Sequence, residues 1–259
     1  MVNYAWKSIS SFLRIYLNSI NGIKNTDYDN DPISSEIREE LNNLYKEEYD
    51  EPATEELSDK DIERAMINFP GDSTIPGFPS IDAFLALLNP LLKKLQNPAY
   101  KINNKIHEIM EQEAAEIIDK IMTKKFPEFN VRFSDLVRKV LEKVNFLLFQ
   151  HRKDLESYLN SLLDAELSYL YTNDISYLMN DFGLTQEEKR KLESGKIKDP
   201  LIFELRKRID SYFKLVVRNL RDLVPKQIFN FLISKCLKQL EFEAFQFTSD
   251  VNKLKEWLN

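Results

Sequence analysis

Few residues in this sequence have the types and spacing that catalysis or metal binding would need. His107, Glu111, Glu113 and Glu116 lie close together along the chain, and imidazole and carboxylate groups are common metal ligands. A carboxylate-bridged di-iron site in a helical bundle needs a Glu-x-x-His pair on each of two helices, and that spacing is absent. We therefore interpret these carboxylates as part of a solvated helix face.

The remaining candidate side chains also favour structural roles. Cys236 shares an apolar stripe with Leu232 and Leu240, which is typical of a small core residue. His107 and His151 are interpreted as surface or core-edge residues rather than as ligands. The sequence contains no GxxxxGK[ST], GxSxG or HExxH motif. We expect no catalytic, cofactor-binding or metal-binding residue in this chain, and the single Cys fits a reducing compartment.

The composition favours long helices with few turns. The 259 residues include only five Gly, with 43% hydrophobic and 30% charged residues. Because tight hairpins and phosphate-binding loops need Gly, a Rossmann domain, a P-loop and a hairpin-rich sandwich are disfavoured. The net charge of −6 argues against nucleic acid as a partner. No apolar run is long enough to span a bilayer and no signal-peptide pattern is present, so we expect a cytoplasmic chain.

Apolar residues recur at three- and four-residue spacing along most of the chain, and this pattern predicts helices. The longest predicted helix, Phe133–Leu178, contains neither Gly nor Pro. The other predicted helices cover residues 4–20, 34–49, a short stretch after Ser58, a stretch from 81 with kinks or breaks at Pro90 and Pro98, and then 98–123, 201–224 and 225–247. We expect Gly22 to end the first of them, and Ser58 and Ser80 to cap the helices that follow them. We predict an all-α fold, an elongated antiparallel four-helix bundle with long, kinked helices.

Two connections between these helices favour contacts with partners. The loop Pro70–Pro79 holds two Gly and three Pro together with apolar Ile75 and Phe78, and such loops on a rigid scaffold often bind partners. The connection Lys189–Lys198 is basic. A Lys beside an anionic lipid surface contributes about 1 kcal/mol, so this connection is either a membrane-facing tip or an ordinary solvated linker.

Two segments resemble the dynamin family. Residues Leu163–Asn173 are similar to the middle-domain signature L-I-D-x-E-x-A-Y-x-N-T-N-H, although Asp174 stands where the family usually has His. Residues Tyr212–Ile228 resemble the start of the dynamin GTPase effector domain, of the type S-Y-x-x-V-x-x-x-V-R-D-x-x-P-K-x-I. Weaker agreement extends the resemblance over nearly the whole chain, at Asn3-Tyr4, Phe78–Leu95, Asn97-Pro98 and Phe126-Pro127.

The resemblance implies a dynamin-type stalk in three parts. Residues 1–182 would form its middle-domain part and residues 200–259 its GTPase effector domain part. Residues 183–199 form a connecting loop where other members carry a membrane-binding insert, so an insert is either missing from this member or excised. The family's GTPase domain is absent from the chain. We expect GTP and Mg²⁺ to bind in that domain of a parent GTPase, and no enzyme activity in these residues.

The resemblance also implies what the stalk does. In this family the stalk forms a criss-cross homodimer and higher oligomers, which assemble as filaments on membranes for remodelling or fission, and the protein is recruited peripherally from the cytoplasm. The residues that match loops used between dimers are Gly71, Asp72, Ser73, Lys124, Lys125 and Phe126. The candidate membrane-facing tip contains Lys189, Arg190, Lys191, Lys196 and Lys198.

Two other classes of function stay open on the sequence. One is a helical scaffold or tether that shares the bundle but not the GTPase, and the other is a module that binds a membrane surface directly through the basic tip. Within the dynamin family, the sequence does not separate organelle division, vesicle scission and an antiviral myxovirus-resistance type. The membrane insert that helps to distinguish them is missing between Phe182 and Pro200.

Overall fold

The regular elements of the chain are helices throughout the part that the structure describes. This computed structural model describes residues 2–23, 33–48, 57–70, 80–124, 134–180, 182, 185–194 and 199–249. The helices in chain order are α1 (Val2–Ile20), α2 (Ile33–Glu48), α3 (Asp59–Asn68), α4 (Ile81–Lys94), α5 (Gln96–Lys124), α6 (Ser134–Ser168), α7 (Ile175–Leu178), α8 (Gln186–Glu193), α9 (Pro200–Ile228) and α10 (Cys236–Ser249). A π-helical segment, Phe229–Lys235, joins the last two. The predicted all-α fold is confirmed.

The chain forms two units. The first unit consists of Met1–Leu44, Ala99–Tyr158 and Val224–Asn259, and four helical stretches contribute to its core. Apolar residues of α1, α5, the first part of α6 and the stretch from the end of α9 into α10 are buried together, as the three- and four-residue spacing predicts. The most buried of them include Phe12, Tyr16, Ile102, Ile106, Met110, Leu147, Leu148, Leu155, Leu232 and Cys236.

Within the first unit, α6 and α10 lie side by side and run in opposite directions. The Nζ atom of Lys143 lies 2.6 Å from Oε2 of Glu243. Further along α6, Nε2 of His151 lies 3.0 Å from Oε1 of Gln239. Residue numbers therefore rise along one helix as they fall along the other, which is the antiparallel arrangement that the sequence predicts for bundle helices.

The second unit has its own core. It consists of Tyr45–Pro98 and Leu159–Leu223. Its buried residues come from α3, α4, the last part of α6 and most of α9, and they include Ile62, Phe84, Leu88, Leu92, Leu159, Leu205, Ile209, Tyr212 and Leu220. The two signature segments of the sequence fall largely in this unit, so its packing decides how they meet.

The predicted helix ends at Gly22, Ser58 and Ser80 are confirmed. Gly22 has a φ of 77° just after α1, a left-handed conformation that Gly adopts at little cost. The hydroxyl of Ser58 accepts a hydrogen bond from the N–H of Asp61, and the Asp61 carboxylate accepts one in return from the Ser58 N–H. The Ser80 hydroxyl caps α4 by accepting a hydrogen bond from the N–H of Ala83.

The prediction of one helix over Phe133–Leu178 is wrong, because α6 ends at Ser168 and only the short α7 follows. No Gly or Pro marks this break, so polar side chains must account for it. The Ser168 hydroxyl donates to the carbonyl of Ala165 at 3.1 Å. The Asp174 side chain accepts from the N–H of Tyr177 and begins α7 as its cap. Such local side-chain bonds offer the backbone an alternative to the helix.

The predicted helix boundary at Pro225 is also wrong. Pro225 lies inside α9, which continues to Ile228, and the hydrogen-bonding pattern changes only in the π-helical segment that follows. A proline removes one helical hydrogen bond. Here its neighbours Val224 and Ile228 are both buried in the core, so packing holds the helix together across it.

The predicted irregularity near Pro90 and Pro98 falls between those two residues. Pro90 lies inside α4, which runs to Lys94. A turn at Leu95 separates α4 from α5. Pro98 is in the first turn of α5, where its missing N–H leaves no helical carbonyl without a donor.

Candidate functional site

Both histidines of the chain are more deeply buried than the sequence predicts. His107 is 4% and His151 7% exposed. The Nδ1 atom of His107 lies 3.6 Å from Oε2 of Glu111. Burial lowers the pKa of His107, and the nearby positive charge of Arg152 lowers it further. The expectation of surface or core-edge positions is therefore wrong for both histidines, because other helices pack near them: Arg152 of α6 acts on His107, and Gln239 of α10 bonds to His151.

The three glutamates of the same helix differ in their surroundings. Glu116 bonds to Lys120 at 3.3 Å and to Gln112 at 3.0 Å along the surface of α5. Glu113 is partly buried, and it accepts a hydrogen bond from the hydroxyl of Ser19 on α1 at 2.9 Å. Burial is the main cause of the raised pKa of Glu113. Glu113 therefore joins α5 to α1, whereas Glu116 bonds only along its own helix.

Cys236 occupies the position that its sequence pattern predicts. Its side chain is fully buried in the first unit, and burial raises the pKa of its thiol to about 12. A thiol with so high a pKa is inert as a nucleophile at neutral pH. Within the described part of the chain, no three His, Cys, Asp or Glu side chains are grouped so that they could hold a metal ion.

The candidate assembly loops lie mostly outside the described residues. This applies to Gly71, Asp72 and Ser73, and to Lys125 and Phe126. Lys124 is the last residue of α5. The described residues next to the first loop carry large exposed apolar side chains, Ile67, Phe69 and Ile81. Apolar side chains exposed beside a loop are suited to partner contacts.

The candidate membrane-facing tip contains a short helix, α8, whose charges balance. Lys189, Arg190 and Lys191 lie on it at its surface. The helix also carries the acidic residues Glu187, Glu188 and Glu193, so the charges of its three basic and three acidic residues cancel. Lys196 and Lys198 lie outside the described residues.

Glu188 fixes α8 to the second unit. Its carboxylate caps the start of the helix by accepting from the N–H of Thr185 at 2.8 Å. The same carboxylate lies 2.8 Å from Nζ of Lys207 on α9. The hydrogen bond from Lys207 is the main cause that lowers the pKa of Glu188 to about 2. The helix that begins the basic tip is thus held on α9 by an acidic residue.

The structure brings the two signature segments together around Tyr212, which we call the motif junction. The ring of Tyr212 is buried and lies edge-on to the ring of Tyr177, with centroids 5.6 Å apart. Its hydroxyl donates a long hydrogen bond of 3.5 Å to Glu166. Burial raises the pKa of Tyr212 to about 12, and the carboxylate of Glu166 adds to the shift. This tyrosine therefore stays a neutral packing residue.

An ion pair closes the same junction. Arg218 on α9 forms a charge-assisted hydrogen bond with the carboxylate of Asp174. Asp174 also caps α7 by accepting from the N–H of Tyr177 at 2.9 Å. On the sequence alone, Asp174 stands out only as a departure from the family's usual His. Asp174 and Arg218 of the second signature segment carry opposite charges, and this is the sequence signal that predicts their pairing.

Exposed apolar side chains surround the connection between α6 and α7. We call them the connector patch, and they are Tyr169, Tyr171, Ile175, Leu178 and Met179. The rings of Tyr169 and Tyr171 are stacked, with centroids 6.2 Å apart. Contiguous exposed apolar residues commonly mark interaction sites. The sequence does not predict this patch, because its helical pattern assigns these residues to one continuous helix.

The described helices contain no stretch that is both long and apolar enough to cross a bilayer. The motif junction offers packing between the two signature segments, and the connector patch offers an apolar surface for partner contact.

Comparisons with known proteins agree with the two signature segments. Residues 2–182 match the family described as "Dynamin central region". Residues 198–259 match the family described as "Dynamin GTPase effector domain". The chain is also similar to the "Interferon-induced GTP-binding protein Mx2" of Ictalurus punctatus, at 23% identity over 269 residues, which cover 96% of this chain and 41% of that relative. The chain thus spans about two-fifths of the length of the curated relative it matches.

Proposed function

The chain belongs to the dynamin family, and from this premise we propose that it is the self-assembly stalk of a dynamin-like GTPase. The stalk dimerises and forms higher oligomers, and these assemble as filaments on membranes for remodelling or fission. GTP and Mg²⁺ bind to a GTPase domain of the parent protein. The stalk itself binds other copies of the stalk and carries out no chemistry.

The observation that carries this proposal is the pairing of the two matched regions in one core. Tyr212 from the effector-domain region packs against residues that follow the central-region signature, and Arg218 bonds to Asp174 across the same junction. Close packing in the core of the second unit holds the two matched regions together at this junction. This arrangement suits a stalk to which both regions contribute.

The surroundings of the loops support a role in contacts between copies. Ile67, Phe69 and Ile81 are exposed on the helices that flank the loop of Gly71, Asp72 and Ser73. Apolar side chains in such positions gain free energy when a partner covers them, about 25 cal/mol per Å² of surface removed from water. A second copy of the chain is the partner that self-assembly requires.

Bulky replacements in this loop test the proposal. We expect a variant with Gly71, Asp72 and Ser73 all changed to Tyr to sediment as smaller species than the parent chain, with unchanged helix content by circular dichroism. A matched control changes exposed Glu63 on α3 to Tyr, and it should sediment as the parent does. Equal assembly of the loop variant and the parent would remove this loop from the contact.

A helical scaffold or tether without a GTPase is the rival proposal. It shares the two matched regions but requires a parent protein that lacks a P-loop. Reading the parent open reading frame on both sides of this chain separates the two, because a GxxxxGK[ST] motif upstream of Asn3 supports the GTPase and its absence supports the tether.

A further inference from the structure

The surface of α6 in the first unit carries two exposed aromatic side chains between opposite charges. Phe146 is 57% exposed and Phe149 47% exposed. Glu142 precedes them and Lys153 follows them along the helix surface. Successive spacings of four, three and four residues place all four on one face of the helix. We call these four residues the α6 stripe.

This stripe faces away from the core of its own unit. The core-facing residues of the same stretch of α6 are Val144, Leu147 and Leu148, which are buried. Two Phe rings in water leave apolar surface uncovered that a partner could bury with a gain in free energy.

We propose that the α6 stripe binds the α6 stripe of a second copy of this chain. The two α6 helices run antiparallel, related by a two-fold axis that passes midway between residues 147 and 148. The inference rests on the self-assembly proposed above, and it names one surface that assembly uses.

The order of residues along the stripe is self-complementary about that axis. Phe146 of one copy lies opposite Phe149 of the other, and Glu142 lies opposite Lys153. Because a two-fold contact repeats every pair, the contact contains two aromatic pairs and two ion pairs, and each copy contributes one residue to every pair. A parallel contact would instead place Glu142 against Glu142 and Lys153 against Lys153, and like charges repel.

Residues beside the stripe continue the same pattern. Asn145 lies opposite Gln150, so two amides can exchange hydrogen bonds at the edge of the contact. Lys139 lies opposite Glu156, again with opposite charges. The complementarity therefore covers both the line of the stripe and its flanks.

The present partners of the charged residues do not prevent this contact. Glu142 bonds to Arg138 at 2.7 Å, and Lys153 bonds to Glu156 at 2.8 Å, both along the helix surface. Exposed ion pairs of this kind contribute little to stability. Each carboxylate has further lone pairs, so it can accept a hydrogen bond from a second cationic side chain, supplied by the other copy.

One like-charged pair falls at the edge of the contact. Lys143 of one copy lies opposite Arg152 of the other, to the side of the stripe. Lys143 is already paired with Glu243 at 2.6 Å, and Arg152 lies 3.7 Å from Glu156. These carboxylates offset the repulsion.

The same two cations help to hold the aromatic rings. Lys143 lies 5.3 Å from the ring centroid of Phe146, and Arg152 lies 5.1 Å from that of Phe149. Cation–π contacts at this distance restrict the rings. Restricted rings lose less conformational entropy when a partner covers them.

The size of the surface sets the strength of the contact. A stable interface buries about 800 Å² on each partner, and one helical stripe of four residues offers well under half of that. The contact is therefore weak between free chains. It contributes when other stalk contacts already hold two copies together, since linked contacts gain from high effective concentration.

A charge exchange tests the proposal with the full 259-residue chain. Glu142→Lys places two Lys–Lys pairs across the axis, and Lys153→Glu places two Glu–Glu pairs there. We expect each single variant to weaken self-association about tenfold in sedimentation velocity, with unchanged circular dichroism. The double variant Glu142→Lys/Lys153→Glu restores opposite charges and should associate as the parent does.

Mixing the two single variants gives a sharper result. In a mixed pair, the lysine introduced at position 142 of one copy faces the glutamate introduced at position 153 of the other. The unchanged Lys153 and Glu142 also face each other, so both pairs join opposite charges. We therefore expect an equimolar mixture to associate more strongly than either variant alone. Failure of both the mixture and the double variant to recover association would overturn the proposed pairing.

Cysteine cross-linking tests the register of the two helices. A mixture of Phe146→Cys and Phe149→Cys chains should form an intermolecular disulfide, and the buried Cys236 should not compete. Arg138→Cys serves as the matched control. In the proposed pair, the two copies of residue 138 lie about 28 Å apart along the direction of the helices, at 1.5 Å rise per residue. A disulfide that joins two Arg138→Cys chains through the introduced thiols would contradict the proposed axis.

These experiments separate two failures. If the parent chain associates but all charge variants associate equally well, the α6 stripe is not a contact and the stalk proposal stands. If the parent chain itself does not associate at any concentration, both proposals fail together.

Discussion

The most informative single side chain for stability is His107, a buried polar group without a full set of partners. Its Nε2 atom is buried and makes no hydrogen bond in the structure. Glu111 on the same helix lies near Nδ1, and Arg152 and Glu156 on α6 also act on the ring. Burial is the main cause of its lowered pKa, the charge of Arg152 lowers the pKa further, and Glu108 and Glu156 oppose this by raising it. The folded state thus favours the neutral ring.

This environment predicts a loss of stability in acid. The ordinary pKa of His is 6.5, and the folded-state pKa of His107 lies below it. The stability that the neutral, buried ring allows is therefore fully present above pH 6.5, and it is lost as the pH falls through the folded-state pKa. We expect His107→Gln to show a weaker decline of the unfolding midpoint between about pH 7.5 and pH 5 than the parent, measured by thermal melts.

The comparison has a matched control and a clear contrary result. Lys105→Gln changes a surface residue of the same helix, whose Nζ lies 3.8 Å from Glu40, and it should keep the parent's acid sensitivity. If His107→Gln and the parent lose stability in parallel over this pH range, protonation of His107 is not what weakens the fold.

Single residues can be predicted from the sequence where packing alone decides their position. Apolar residues surround Cys236 at helical spacing, which predicts a core position, and its side chain is buried. The prediction fails for the histidines because each interacts with another helix: Arg152 acts on His107, and Gln239 bonds to His151. Such contacts between helices leave no periodic signal in one sequence.

At the scale of elements, Gly22 is the residue that most directly controls a helix end. The N–H of Gly22 bonds to the carbonyl of Ser19 at 3.2 Å, and the N–H of Ile23 bonds to that of Asn18 at 2.8 Å. These two bonds give hydrogen-bond donors to carbonyls of the last turn of α1, and the chain changes direction there. A Cβ atom at position 22 would lie 3.0 Å from the hydroxyl of Ser34 on α2.

We expect Gly22→Ala to destabilise the chain by about 1–2 kcal/mol, because Ala resists the left-handed conformation. Chemical denaturation measures this loss. Ser34→Ala in the same background removes the nearby hydroxyl, so the double variant should recover the part of the loss that comes from crowding and none that comes from φ. A Gly22→Ala chain as stable as the parent would contradict this account of the helix end.

Helix boundaries can be predicted where Gly, Ser or Asp give a local signal, and not where tertiary packing decides. The caps at Ser58 and Ser80 are predicted correctly because their hydroxyls act within one turn. Pro225 predicts a boundary, but the burial of its neighbours holds α9 together. The break after Ser168 escapes prediction because side-chain bonds, rather than Gly or Pro, produce it.

For the whole molecule, the fold class follows from helical periodicity and the family follows from two short segments. The sequence does not predict that these segments meet around Tyr212, since their contact joins residues far apart in the chain. It also does not predict the connector patch, which exists only because α6 ends early.

Sedimentation equilibrium of the parent chain over a range of concentrations tests the stalk proposal most directly. One chain has a mass of 30.6 kDa. We expect the apparent mass to reach at least twice this value at about 10 μM, the range of moderate protein affinities, and to keep rising as the concentration increases. A mass that stays at that of one chain up to about 1 mM would contradict the account, because a stalk that does not bind itself cannot build a filament.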